Sequence, residues 1–268
     1  MEGVAPANDR GFTVTASLRE IKVYTTFPHD CSYLADMQAT TLFVDPRQAI
    51  SVPLYTQLSL LGFRRSGDHI YRPHCISCSA CIASRVPVNT FQASRSQRRV
   101  WRRNQDLRVI ESGSIIDDEA YGLYARYINL RHSDGDMYPP DRQQYESFLN
   151  GLFDCTRYLR FYEDDRLLCV AVIDVMLDGL SAIYTFYDPD EERRSLGTFA
   201  ILAQIEHAAR HGLDYLYLGY WIEQCNKMNY KARFQPLELF TDGRWQSLDQ
   251  PASVELMSAD VISITDIT

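Results

Sequence analysis

No apolar run in the 268-residue chain approaches the roughly 18 residues that a helix needs to cross a bilayer, so neither a membrane span nor a membrane partner is expected. Residues 1–19 lack both the charged leader and the apolar core of a secretory signal. An excess of positive charge is missing too. With 27 Lys and Arg against 35 Asp and Glu, the net charge of −8 argues against a general polyanion binder, DNA included. Any nucleic-acid contact must come from a local patch. Internal repeats and low-complexity segments are also absent. The 7 cysteines are an odd number with no export signal beside them, which fits free thiols in a reducing cytoplasm.

Against this background, residues 63–101 stand apart. Cys75, Cys78 and Cys81 form a CxxCxxC triplet. Arg85, Arg95, Arg98, Arg99, Arg102 and Arg103 follow, with no acidic residue before Asp106. If Cys31 joins the triplet, four thiolate ligands can be counted, a set that suits zinc or an iron–sulfur cluster. The competing reading is a turn packed by small free thiols.

The pattern of apolar residues predicts an α+β chain. A lead-in over 1–18 is followed by a small α+β domain over 19–112, carrying the cysteine loop and the arginine-rich helix. Within it, strands are expected over 19–27 and 37–45, and a helix over 51–62 with Ser51 as its cap. A hairpin over 63–72, a strand over 82–88 and the arginine helix over 94–105 follow. Glu111-Ser112-Gly113-Ser114 is hinge-like, and the boundary is placed there. The second domain, 113–250, reads as two helices and three strands (156–163, 167–177, 182–187). After these come a turn at 195–198, a helix closed by Gly212, a strand over 214–218 and another over 234–240. A tail over 251–268 completes the chain. This is the order of elements in acyl-CoA N-acetyltransferases, the GNAT fold. There a loop before a helix N-terminus holds a phosphate through backbone N–H groups. Ser195, Gly197 and Thr198 stand where that loop belongs, with one glycine where the full motif has two.

Nine phrases in order, from about residue 19 to 240, resemble the aminoacyl-tRNA–protein transferase family of the N-degron pathway. Among them are Cys31-Ser-Tyr-Leu, Phe63-Arg-Arg-Ser-Gly, Tyr71-Arg-Pro-His-Cys-Ile-Ser-Cys, Ser94-Arg-Ser-Gln-Arg-Arg, Tyr217-Leu-Gly-Tyr-Trp-Ile and Cys225-Asn-Lys-Met-Asn-Tyr-Lys-Ala-Arg-Phe. The compact length is similar to the bacterial, leucyl-transferring branch rather than to the longer eukaryotic, arginyl-transferring one. The resemblance implies transfer of leucine from leucyl-tRNA to the α-amino group of proteins beginning with Asp or Glu, which marks them for proteolysis. The eukaryotic pattern has a second early cysteine where this chain has Leu34, so the metal site does not carry over directly.

Such a reaction needs a neutral amine at the ester, donors for the oxyanion, a proton path, and cations for two anions. The ester is already activated, so no cofactor is required for the chemistry. Arg95, Arg98, Arg99, Arg102 and Arg103 suit an RNA backbone, or else a solvated basic face. Trp101 either stacks on a base or anchors the helix. For the acceptor's acidic terminus the candidates are Arg85, Lys227, Tyr230 and Lys231. For proton handling they are Asp188 and Asp174, with Tyr184 as an oxyanion donor. Each has a structural alternative: a turn for Asp188, an ion pair for Asp174, core packing for Tyr184. Three other functions compete: arginyl transfer, CoA-dependent N-acetyl transfer, and metal- or redox-sensing RNA binding without transfer.

Overall fold

The computed structural model describes residues 21–135, 137–151 and 154–248; the expected lead-in over 1–18 and the tail over 251–268 lie outside them. Among the described residues, no helix is long and apolar enough to cross a membrane.

The first part of the chain builds a small antiparallel sheet. Its strands are β1 (Val23–Thr25), β4 (Thr41–Val44), β5 (Arg64–Ser66) and β6 (His69–Pro73), in the order β1-β4-β6-β5. Helix α1 (Val52–Leu60) starts as its sequence dictates, with Ser51 Oγ accepting from the Leu54 N–H at 3.4 Å and Pro53 in the first turn. The single strand expected over 37–45 is broken. β2 (His29–Asp30) pairs with β3 (Gln38–Ala39), while β4 pairs elsewhere. Thr40 causes the break: its carbonyl accepts from the His74 N–H at 2.8 Å, and its hydroxyl donates to the His74 carbonyl.

The main sheet has eight strands. In spatial order they are β14 (Arg244–Ser247), β13 (Glu238–Thr241), β7 (Ile82–Pro87), β12 (Tyr215–Trp221), β11 (Gly179–Tyr187), β10 (Arg166–Val175), β9 (Thr156–Glu163) and β8 (Arg108–Ser112). β11 and β12 run parallel; the other neighbours are antiparallel. The sheet therefore continues across position 112/113, where the domain boundary is expected. β7 sits in its middle because Ala83 to Val86 are buried on both faces, which only an interior strand achieves.

Helices α3 (Asp118–Arg131) and α4 (Arg142–Leu149) cover one face, capped by Asp117 and Asp141. Helix α5 (Leu196–Arg210) covers the other, with α2 (Arg95–Arg103) beside it. Period-two alternation sorts the side chains of β12: Leu216 and Leu218 join the α5 core, while Tyr217 joins the core under α1 and the small sheet. The small sheet thus lies on the face opposite α5. From α3 to β12 the elements follow the helix–helix–strand–strand–strand–turn–helix–strand order of the N-acetyltransferase-like reading.

Candidate active site

The parallel pair β11–β12 is joined only from Gly179 to Ser181 and from Tyr215 to Tyr217. Beyond that the strands diverge, and a cleft of about 940 Å³ opens between them. Parting two strands strands their carbonyls, and buried orphan carbonyls are costly. Arg64, reaching across from β5, repairs the loss: Nη2 donates to the Ala182 carbonyl at 2.6 Å and Nη1 to the Tyr217 carbonyl at 3.4 Å. Gly219 makes room for it. Its φ is +82°, and a Cβ there would lie 2.9 Å from the Arg64 guanidinium carbon.

Three residues expected at the site are committed elsewhere. Asp174 is fully buried and accepts from Arg65 Nε (2.7 Å), Arg65 Nη2 (3.0 Å), Thr156 Oγ1 (2.7 Å) and Tyr55 Oη (3.0 Å). Its oxygens are saturated, and it does not line the cleft. Asp188 ends β11 at the cleft's edge but turns away from it. The carboxylate is held by Arg126 of α3 (3.1 and 3.3 Å) and by the Asp190 N–H (3.1 Å). Arg85 points to the face opposite α5. It is paired with Glu238 at 2.7 Å and stacked between Tyr215 (3.5 Å) and Trp245 (4.3 Å). A cation so enclosed is a strut rather than a recognition group.

The other candidates do converge. Tyr184, Lys227, Tyr230 and Lys231 all line the cleft, as do Ser195, Gly197 and Thr198. Lys231 is 3% exposed, and its Nζ donates to the Tyr220 carbonyl at 2.6 Å. Burial, and after it the charge of Arg64, pulls its pKa down to about 7. Lys227 stays at the rim, paired with Asp134 at 3.1 Å. Tyr184 packs edge-on against Phe148, and burial raises its hydroxyl pKa. At the start of α5, Ser195 has a left-handed backbone (φ 55°, ψ 48°) and its side chain does not cap the helix. Leu196, Gly197 and Thr198, the first turn of α5, line the cleft, and the first amides of a helix have no partner within it.

Arg64 and Gln204 had no role assigned from sequence. Gln204 is fully buried on α5, lines the cleft, and its Oε1 has no partner among the described residues. A lone glutamine within an apolar helix gives no readable signal. Arg64-Arg65 inside a β-prone hairpin does give one, since side chains alternate along a strand and at least one of the two cations must be buried and need a partner.

The arginine helix is tied at its ends to segments that flank the cleft. Arg95, Arg98, Arg99, Arg102 and Arg103 are all exposed, and among the described residues no carboxylate pairs with any of them. Trp101 resolves as the anchor, 5.3 Å from Phe199 of α5. At one end, Gln97 donates to the Arg233 carbonyl at 2.9 Å. At the other, Arg103 donates to the Arg193 carbonyl, and Asn104 donates to that of Arg194 at 2.9 Å. The basic surface therefore runs directly into the turn that opens α5.

Cys31, Cys75, Cys78 and Cys81 line a second cavity of about 200 Å³, which shares Tyr33, Tyr71 and Tyr220 with the cleft. Burial, with the neighbouring Cys31, Cys75 and Cys78, pushes the Cys81 thiol up to about 12. Among the described residues, no group of three or more Cys, His, Asp or Glu is placed to hold a metal ion. The four thiols stand together in the wall between this cavity and the cleft.

Comparisons with known proteins bear on this geometry. The family model "Arginine-tRNA-protein transferase, N terminus" matches residues 29–99, and its C-terminal counterpart matches residues 119–241. An aspartate/glutamate leucyltransferase from Stutzerimonas stutzeri is 57% identical over 87% of this chain and 99% of its own length. One of the same name from Pseudomonas savastanoi pv. phaseolicola is 54% identical over 86% and 98%. Among solved structures, L-PGS from Bacillus licheniformis aligns over 53% of this chain and 47% of its own, with a TM-score of 0.41 and 11% identity.

Proposed function

Since the chain belongs to the arginine-tRNA-protein transferase family, we propose that it transfers leucine from leucyl-tRNA to the α-amino group of proteins beginning with Asp or Glu. It is an aminoacyltransferase. The proposed setting is the cytoplasm, where its seven thiols stay free.

The observation that carries the reading is the junction of α2 with the turn that opens α5, whose first residues line the cleft. Exposed arginines suit the tRNA backbone. They lead to the turn at Arg193–Ser195, and the first amides of α5 beyond it suit a phosphate or the 3′ end. Leucine fits the donor site better than arginine does. Ile183, Ile201, Leu218 and Met228 line the cleft, and among the described residues its two carboxylates are already neutralised. Glu192 pairs with Arg131 at 2.7 Å, and Glu191 with Arg166 and Arg194.

In the reaction, the acceptor's α-amino nitrogen attacks the ester carbonyl carbon. The bond from that carbon to the ribose oxygen breaks, and the oxygen leaves with a proton. The incoming ammonium must first lose a proton. Asp174 and Asp188 are held by arginines, so this role passes to Lys231, which gives up its own proton near pH 7. Positioning in the cleft supplies the rest.

The test is a transfer assay with labelled leucyl- or arginyl-tRNA and peptides beginning Asp, Glu, Asn or Ala. Leucine transfer is expected to be far faster to the Asp and Glu peptides than to the Asn and Ala peptides. Absence of transfer to both would overturn the proposal, and arginine transfer in place of leucine would overturn the donor assignment.

A further inference from the structure

Resting on that reading, we infer that Arg64 is the residue that recognises the acidic side chain of the acceptor's first residue. A guanidinium has five N–H donors, and the Ala182 and Tyr217 carbonyls use one each, which leaves Nε and one hydrogen on each terminal nitrogen. Arg64 is half-buried and lines the cleft. Among the described residues, no carboxylate pairs with it or with Lys231, although arginines elsewhere on the chain, such as Arg65, Arg85, Arg126 and Arg194, find one. In a chain of net charge −8, an unpaired arginine beside a buried lysine is a reserved cation.

The surroundings are built for a carboxylate. The hydroxyls of Tyr33, Tyr71, Tyr220 and Tyr230 all feel the charge of Arg64. Burial keeps each of them protonated, the Tyr33 hydroxyl at a pKa of about 12. Tyr220 spends its hydroxyl on the Gly62 and Tyr71 carbonyls (3.0 and 3.1 Å). The hydroxyls of Tyr33, Tyr71 and Tyr230 have no hydrogen-bond partner among the described residues and are there to donate to a carboxylate at Arg64. Arg64, not Lys231, carries the permanent charge. Lys231 spends one hydrogen on the Tyr220 carbonyl and sheds its proton near neutrality, whereas a guanidinium does not. The two cations then have separate tasks on the same residue of the acceptor: Arg64 takes the side-chain carboxylate and Lys231 faces the α-amine. The strand fork fixes their relation, because Arg64 is tied to β11 and β12 while Lys231 hangs from Tyr220 of β12.

The experiment measures kcat/KM for peptides beginning Asp, Glu, Asn and Gln with wild type, Arg64→Gln and Arg64→Lys, alongside leucyl-tRNA binding and thermal denaturation. With Arg64→Gln, transfer to the Asp and Glu peptides should fall on the order of 100-fold, mostly through KM. The Asn and Gln peptides should change by less than about threefold, and leucyl-tRNA affinity should hold. An equal fall for all four peptides in a folded variant would make Arg64 only a strut and overturn the inference. If Arg64→Gln does not fold, Arg64→Lys decides. It keeps the charge but loses the fork, so the Asp-over-Asn ratio should drop about tenfold; an unchanged ratio overturns the inference. Wild type that transfers leucine to neither acidic peptide would instead overturn the functional reading itself.

Discussion

Arg65 and Asp174, 109 positions apart in the chain, meet as a two-pronged ion pair with both side chains fully buried. The pair rivets the small sheet to the main one. It also separates two adjacent arginines: on β5, successive side chains take opposite faces, so Arg65 is locked into the core while Arg64 reaches the cleft.

Asp174→Ala should cost about 3–5 kcal/mol of stability, because it leaves the Arg65 charge buried and unpaired. The double change Arg65→Met with Asp174→Leu should recover most of that loss. Chemical denaturation checks both. A single-variant loss under about 1 kcal/mol would show that the pair is not what holds the sheets together.

Lys231 should make stability depend on pH in a defined direction. Its folded pKa, about 7, lies below the ordinary 10.5, so between these values the unfolded chain binds the extra proton. Stability from this group therefore rises with pH across that window. Lys231→Met should be most advantaged over wild type below pH 7 and lose that advantage as pH climbs to 10.5. The neighbours that set the shift are Arg64, which lowers the pKa, and Cys225, which raises it. A pH-independent difference between the two proteins would refute the depressed pKa. The transfer rate of Lys231→Met should be lost throughout.

Arg98→Ala with Arg102→Ala should weaken tRNA binding and lower the salt slope of log K by about 2, as expected for two lost phosphate contacts. Stability should stay within about 0.5 kcal/mol, since both side chains are exposed. An unchanged salt slope in filter-binding titrations would return the helix to a plain solvated face.

Gln204→Leu should raise stability or leave it level while lowering transfer. The carbonyl oxygen of Gln204 is buried without a partner, and an apolar replacement removes a polar group that the fold leaves unsatisfied. Thermal melts paired with transfer rates check this. A variant with full activity would show that the group has no part in the cleft.

Arg85→Met should destabilise by about 2–4 kcal/mol through loss of the Glu238 pair and the Tyr215–Trp245 sandwich. It should nevertheless leave the preference for Asp over Asn peptides intact. A folded Arg85→Met protein with its preference lost would restore Arg85 to acceptor recognition.

Helix starts were legible because caps are local chemistry. Ser51, Ser94, Asp117 and Asp141 each bond the amide three residues on. The hairpin at β5–β6 and the three strands β9 to β11 were legible for the same reason, written in alternation and turns. The edge strands β8 and β14 were not, because they are partly exposed and carry no strong apolar pattern. Of the site, the arginine helix, the α5 opening and Lys231 could be read from residue type and spacing. The destinations of Arg64, Arg85, Asp174 and Asp188 could not.

By itself, then, the sequence determined the local elements, the family, and where the basic surface must lie, since each depends on neighbours within a few positions. Which charges are free was decided only by the tertiary structure. A buried arginine or aspartate is set by the partner that packs against it, and these partners lie far along the chain: Asp174 for Arg65, Glu238 for Arg85, Asp188 for Arg126. The strand fork gives Arg64 two carbonyls and, among the described residues, no carboxylate, and on that its proposed role rests.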